Sequence, residues 1–176
     1  MKYFIGIDPG LSGALAVVDA EGDLHGLYDL PVKYKYEDDR NTKRIIDGNK
    51  LKNIFIAIIA EHGAEELVVA LEDVHGRGIN NKDKEKISWG ASVTFSLGET
   101  IGAIRTCVDL LGYNIVLISP TFWKKYFKLL KSKEAARELA NKLYSRETTF
   151  FPRKADHNRA EALLIARYLS EIYKDK

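Results

Sequence analysis

The chain's first apolar strand ends in an aspartate, and that acid constrains what the rest can fold into. Lys2-Tyr3-Phe4-Ile5-Gly6-Ile7-Asp8-Pro9-Gly10 opens with apolar, partly β-branched residues suited to a buried strand. Pro9-Gly10 turns the backbone at once, and Gly13 is free to approach it closely. A second apolar run at 14–18 follows, so the pair reads as a hairpin. A carboxylate at the end of a buried strand is costly unless it is paired, hydrogen-bonded or bound to a metal. Asp8 therefore reads either as a turn cap or as a ligand, and the rest of the chain decides.

Residues 2–8, 13–19 and about 24–30 read as three strands of an antiparallel meander, with Glu21-Gly22-Asp23 as a hairpin signal. The polar residues 33–44 read as an exposed loop. Leu51, Ile54, Phe55, Ile58 and Ile59 have helical spacing, and Gly63 stops that helix. Residues 67–71 form a short continuous apolar run, as in a central strand buried on both faces, and it too ends in acids, Glu72 and Asp73. A charged, glycine-rich loop at 75–86 precedes a long helix over about 88–111. Gly90, Ser92, Ser96, Gly98 and Gly102 give that helix a small-residue surface. Residues 113–118 read as another buried strand, and Ser119-Pro120 starts a short helix containing Trp123. Further helices are predicted from about Ser132 to Ser145 and from about His157 to Tyr173. This order resembles the ribonuclease H-like layout, an α/β fold. Its five-stranded mixed sheet has three antiparallel strands, then two parallel ones, with helices on both faces.

At 176 residues the chain is expected to form one domain, 1–176, around one substantial core. Its one cysteine, Cys107, excludes an internal disulfide framework and a cysteine-cluster zinc site, and reads as a small core residue. There is no charged start followed by a long apolar segment, and no run approaches the roughly 18 apolar residues that span a bilayer. No membrane partner is expected, and the protein is expected in the cytoplasm. The net charge of +2 does not by itself imply a partner.

In a sheet of this kind the first strand lies beside the strand at 67–71, so Asp8 and Glu72 end side by side. Two unpaired carboxylates at one site repel, and one takes up a proton unless a cation is present. Oxygen-only ligands favour magnesium or manganese. The last helix opens with Asp156-His157-Asn158-Arg159-Ala160-Glu161. His157 and Asn158 share the helix face of Glu161, and Asp156 reaches the same site only if it sits at the pre-helical cap, which the preceding loop permits. Glu161 sits on an otherwise small and apolar face, and buried acids need partners. Acids from three distant segments can therefore converge. Two metal ions about 3.5–4 Å apart would activate a water and stabilise the leaving oxygen of a phosphodiester.

Ile5-Gly6-Ile7-Asp8-Pro9-Gly10 with Gly13, Leu71-Glu72, and Arg159-Ala160-Glu161-Ala162-Leu163-Leu164-Ile165-Ala166 resemble the three acidic motifs of RuvC-type Holliday junction resolvases. The phage and organellar branch is most similar, through Trp123-Lys124-Lys125 after Ser119-Pro120. The resemblance implies a homodimer that cuts four-way DNA junctions symmetrically with magnesium, or manganese in its place, at two ions per site. It implies Asp8, Glu72 and Glu161 as catalytic metal ligands. Bacterial members usually carry an acid or histidine three residues before the last aspartate, where this chain has Asn158 before Glu161. The fourth ligand stays open among Asp156, His157 and Asn158. Asp156 is favoured as the harder donor, with His157 a candidate proton carrier.

Lys124, Lys125, Lys128, Lys131 and Lys133 put five positive charges into ten residues, and Arg77, Lys82, Lys84 and Lys86 follow Glu72. Such charges bind DNA phosphates by releasing counterions, without reading bases. The interleaved aromatics Trp123, Tyr126 and Phe127 read as core. The helix at 88–111 is the expected dimer contact, with Trp89, Phe95, Leu97, Ile101 and Ile104 supplying apolar area. The alternatives are a nuclease of the same fold acting on RNA or other branched DNA, an inactive junction-binding module, and an ATP-binding protein of the actin and sugar-kinase class. The last needs two such domains.

Overall fold

The computed structural model describes residues 1–36, 43–63, 67–74, 90–129, 133–145 and 151–173, without the side chains of Ala91 and Lys133. Three antiparallel strands lead the chain: β1 (Tyr3–Asp8), β2 (Ala14–Asp19) and β3 (Leu24–Asp29). A short antiparallel ribbon follows, β4 (Val32–Tyr34) with β5 (Arg44–Ile46). After helix α1 (Gly48–His62), β6 (Leu67–Glu72) runs parallel to β1. Helix α2 (Ala91–Leu110) leads to β7 (Ile115–Ile118), parallel to β6. The sheet order is β3-β2-β1-β6-β7, the five-stranded mixed sheet expected from the sequence. The chain closes with α3 (Pro120–Tyr126), α4 (Lys133–Leu143), a 3-10 turn at Lys154–Asp156 and α5 (His157–Tyr173).

Alternation along β1 sorts its side chains between two cores. Phe4, with Ala16, Val18 and Ala70 of the neighbouring strands, faces Trp123 of α3 and Leu163, Leu164 and Ala166 of α5. Ile5 and Ile7, with Val17, Val69 and Leu71, face Phe55 of α1 and Ile104, Cys107 and Val108 of α2. Gly6 points toward α5, and a Cβ there would fall on the backbone of Ala162 and Ala166. Strand and helix therefore touch backbone to backbone, which the small residues of α5 permit.

Residues 33–44 are not simply a loop. Val32 pairs with Ile46 and Tyr34 with Arg44, and Ile46 is buried, so the alternating apolar positions root the ribbon on the core. The tip at 37–42 lies outside the described residues. β7 is not buried throughout either. It is an edge strand, and Leu117 is exposed. On α2, Ile104 is fully buried in the chain's own core rather than offered to a partner, whereas Phe95 is exposed. A Cβ on Gly98 or Gly102 would meet nothing within 4 Å, so that part of the small-residue surface is open among the described residues, whereas Ser92 accepts a hydrogen bond from Lys43. Trp89 and the loop bearing Arg77, Lys82, Lys84 and Lys86 lie outside the described residues.

Candidate metal centre

The parallel register sets Ile7 opposite Leu71, so the next residues, Asp8 and Glu72, end adjacent strands side by side. Alternation directs both toward the face covered by α3 and α5. There α5 supplies Glu161. One carboxylate oxygen from each of the three lies within 4.8 Å of the other two. Asp8 and Glu72 are buried, and the Glu161 side chain is 16% exposed.

Burial pushes the Asp8 carboxyl well above its usual range, and the neighbouring Glu72 and Glu161 push it further. Glu72 is raised too, by burial first and then by Glu161. Two contacts from α3 oppose this. The Trp123 indole Nε1 donates to Glu72 Oε1 at 2.9 Å, and Lys124 Nζ lies 3.3 Å from Glu161 Oε1. Lys124 also sits 4.8 Å from the centroid of the Trp123 ring. Three clustered carboxylates, two of them with raised proton affinity, and one lysine counter-charge fit a hard divalent cation such as magnesium or manganese.

This electrostatic stress should be measurable as a melting temperature. The folded, metal-free chain holds Asp8 and Glu72 protons more tightly than the unfolded chain does. That contribution is complete below the ordinary carboxylate range and is lost as pH rises through the elevated folded values toward neutrality. At pH 7 in chelator, Asp8→Asn is therefore expected to melt above the parent, with the gap closing near pH 4. Magnesium or manganese at pH 7 should raise the parent's melting temperature and leave the variant's little changed. A parent indifferent to both metals would argue against a cation site.

The other acid proposed from sequence is placed differently. Asp156 accepts from the Arg153 backbone N–H at 2.8 Å and from Arg153 Nη2 at 2.9 Å, and its carboxyl is held below the usual range by that guanidinium. The structure does not bring it into the trio. His157 Nδ1 sits 3.2 Å from the Lys154 carbonyl, and Asn158 Nδ2 donates to the Ser12 carbonyl at 2.6 Å. Asn158 thus ties α5 to the turn after Asp8. Arg159 adds a second tie, donating from Nε and Nη2 to the two oxygens of Asp29 at 2.6 Å each.

Sequence reasoning overlooked the roles of Trp123 and Lys124 within the site. A buried Trp needs an acceptor for its N–H, which was the available signal for the first. Lys125 and Lys128 sit on and just after α3, whereas Lys131 and the Lys133 side chain lie outside the described residues. The aromatics divide: Trp123 is fully buried and Phe127 packs against the core, but Tyr126 is exposed.

No protein-family model and no curated protein matches the sequence. Among solved structures, the chain is similar to T. thermophilus RuvC in complex with a Holliday junction substrate. The TM-score is 0.61 at 15% identity, covering 99% of this chain and 98% of that one. A second structure, of Thermus thermophilus RuvC, gives a TM-score of 0.49 at 17% identity over 94% of this chain and 91% of that one. The first match extends over nearly the whole of both chains, and the fold of this protein is accordingly the ribonuclease H-like fold of RuvC.

Proposed function

We propose that the chain is a metal-dependent, structure-selective endonuclease that resolves four-way DNA junctions by paired hydrolytic cuts, with residues 1–176 acting as one nuclease domain. The observation that carries this reading is the convergence of Asp8, Glu72 and Glu161 on a RuvC-like fold. The similar T. thermophilus RuvC structure is a complex with a Holliday junction substrate, which supports branched DNA as the ligand here. No helix among the described residues is long and apolar enough to cross a membrane. We place the activity in the cytoplasm of a bacterial or phage-infected cell.

In this reading Asp8, Glu72 and Glu161 hold the cation. When bound, it would supply charge stabilisation at the phosphodiester oxygens and a more acidic water. A second ion calls for a donor beyond the trio, to which Asp156, His157 and Asn158 do not belong in this structure. Trp123 orients the Glu72 carboxylate from behind, the kind of support whose loss typically costs roughly 10–100-fold in metal affinity or activity. Lys124 neutralises Glu161 in the metal-free chain, and its partly exposed ammonium would be free to meet a phosphate once a cation holds Glu161.

Lys125 and Lys128 would hold a DNA arm. Replacing both by alanine should weaken junction binding and flatten its dependence on salt, by about 0.9 in log–log slope for each phosphate left without its lysine. An unchanged slope would reduce these lysines to a solvated helix face.

Two symmetric cuts call for two sites, which a two-fold dimer supplies. We assign the contact to the open Gly98/Gly102 face of α2 and the exposed Phe95. Sedimentation of the parent should show about twice the 19.9 kDa chain mass. Gly98→Arg, whose Cβ would meet nothing within 4 Å among the described residues, should yield monomers that nick junctions rather than resolve them. A monomeric parent that still makes paired cuts would overturn this assignment.

A further inference from the structure

The β4–β5 ribbon rises from the end of the sheet that carries the acids. Asp8 pairs across the sheet with Ala14, and Ala14 with Asp29 at the end of β3. Two strand spacings, about 10 Å, therefore separate Asp8 from Asp29. β4 begins three residues after Asp29. An extended chain adds at most about 3.4 Å per residue, so the backbone of Lys33 lies within roughly 25 Å of Asp8. The acids face α3 and α5, whereas Val32 and Ile46 root the ribbon in the core beneath α1 and α2. Acids and ribbon thus share one end of the sheet and stand on opposite sides of it.

We propose that this ribbon grips the backbone of a DNA arm leading away from the cut, at phosphates well removed from the scissile one. The proposal rests on the nuclease reading above and adds a second phosphate-binding surface to it. Residues 32–36 and 43–46 hold Lys33, Lys35, Lys43 and Arg44, all exposed, and no acid. The net charge of the whole chain is only +2, so this is a local concentration. The Lys35 N–H donates to the Lys43 carbonyl at 2.9 Å, so two lysines meet across the ribbon, which like charge disfavours. α2 relieves that repulsion. Lys35 pairs with Glu99 at 3.7 Å, and Lys43 Nζ donates to Ser92 Oγ at 2.6 Å. The same contacts fasten the ribbon to α2. Lys33 and Arg44 make no ion pair among the described residues and are left for an outside anion. Tyr34 stands opposite Arg44 in the register, and its hydroxyl is a further donor for a phosphate oxygen. In the sequence Glu37, Asp38 and Asp39 follow Tyr36, so phosphates are met at the root of the ribbon rather than at its tip. A duplex carries one charge per ~1.7 Å of its axis, so 25 Å of arm presents about fifteen phosphates to these side chains.

The test uses the full chain and a long-armed synthetic four-way junction. In chelator, Lys33→Ala combined with Arg44→Ala should lower junction affinity by roughly tenfold at 0.1 M salt. The log–log salt slope should fall by about 1.8, two phosphate contacts at about 0.9 each. Hydroxyl-radical footprinting of the parent should show a protected patch of arm backbone within about seven base pairs of the cut, 25 Å at ~3.4 Å per pair. The double variant should lose that patch alone, and in magnesium its cuts should fall at the parent's positions. Melting temperature checks its folding, and Lys33→Gln with Arg44→Gln provides the same comparison should the alanines not fold. A parent that binds no junction defeats the nuclease reading and the ribbon contact with it. A parent that binds and cuts, with slope and footprint unaltered in both variants, overturns the ribbon contact alone. Variants whose cuts move would place the ribbon at the crossover and overturn its assignment to an arm. Variants that weaken binding only by halving the sedimenting mass would assign the ribbon to contact between two copies and overturn the proposal likewise.

Discussion

Asp8→Asn and Glu161→Gln are each expected to slow junction cleavage by roughly a thousandfold or more while leaving junction affinity within a few-fold of the parent's. Each change keeps the shape of the side chain and removes one of three negative charges whose oxygens lie within 4.8 Å of one another. Without that charge the hold on a divalent cation weakens, because it depends on the number of charged oxygens. The two variants should still fold. Asp8 is held above its usual carboxyl range by burial and by its acidic neighbours, so an amide relieves stress in the metal-free protein. Glu161 is paired with Lys124 at the edge of the site, where a glutamine can still accept from the ammonium. Binding should survive because it is assigned to Lys125 and Lys128, outside the trio. Near-parental cleavage by either variant in magnesium would remove that residue from the assigned machinery.

Gly6→Ala is expected to destabilise the fold by about 3 kcal/mol or more, the upper part of the range for overpacking. For a chain of this size that is a fall in melting temperature of roughly 6–12 °C. The added Cβ would land on the backbone of Ala162 and Ala166, which cannot yield as a flexible side chain can. β1 and α5 would have to separate, and they carry Asp8 and Glu161 respectively. The variant should therefore lose metal-induced stabilisation along with thermal stability. A Gly6→Ala protein melting with the parent would mean that strand and helix do not approach so closely.

The parts of this fold that were legible in the sequence share a physical basis. The strands at 67–71 and 2–8 are apolar runs closed by acids, and parallel pairing brings those acids together with no further information. The final helix, His157–Tyr173, was readable to its ends from apolar spacing after a polar cap. The β4–β5 ribbon was not readable, because charged residues break its apolar pattern and each strand is only three residues long. Asp156 stands outside the trio, and its pairing with Arg153, three residues away, is a local ion pair that the sequence reading did not weigh. The pairing of Lys124 with Glu161, 37 residues apart, leaves no local trace in the sequence. Nor does the open space beside Gly98 and Gly102. A small-residue stripe is visible in the sequence, but only the fold shows that a Cβ at Gly98 or Gly102 would meet nothing among the described residues.

Whether these acids cut branched DNA is tested most directly by incubating the purified chain with a synthetic four-way junction, a linear duplex of the same sequence and an RNA hairpin. Each substrate is taken with and without magnesium, and the products are mapped to the nucleotide. The expected result is magnesium-dependent cleavage of the junction alone, as symmetric cuts on two opposed strands that leave ligatable nicked duplexes. Cleavage that is equal on the linear duplex, or that is confined to RNA, or that is absent from the junction in magnesium, would contradict the assignment.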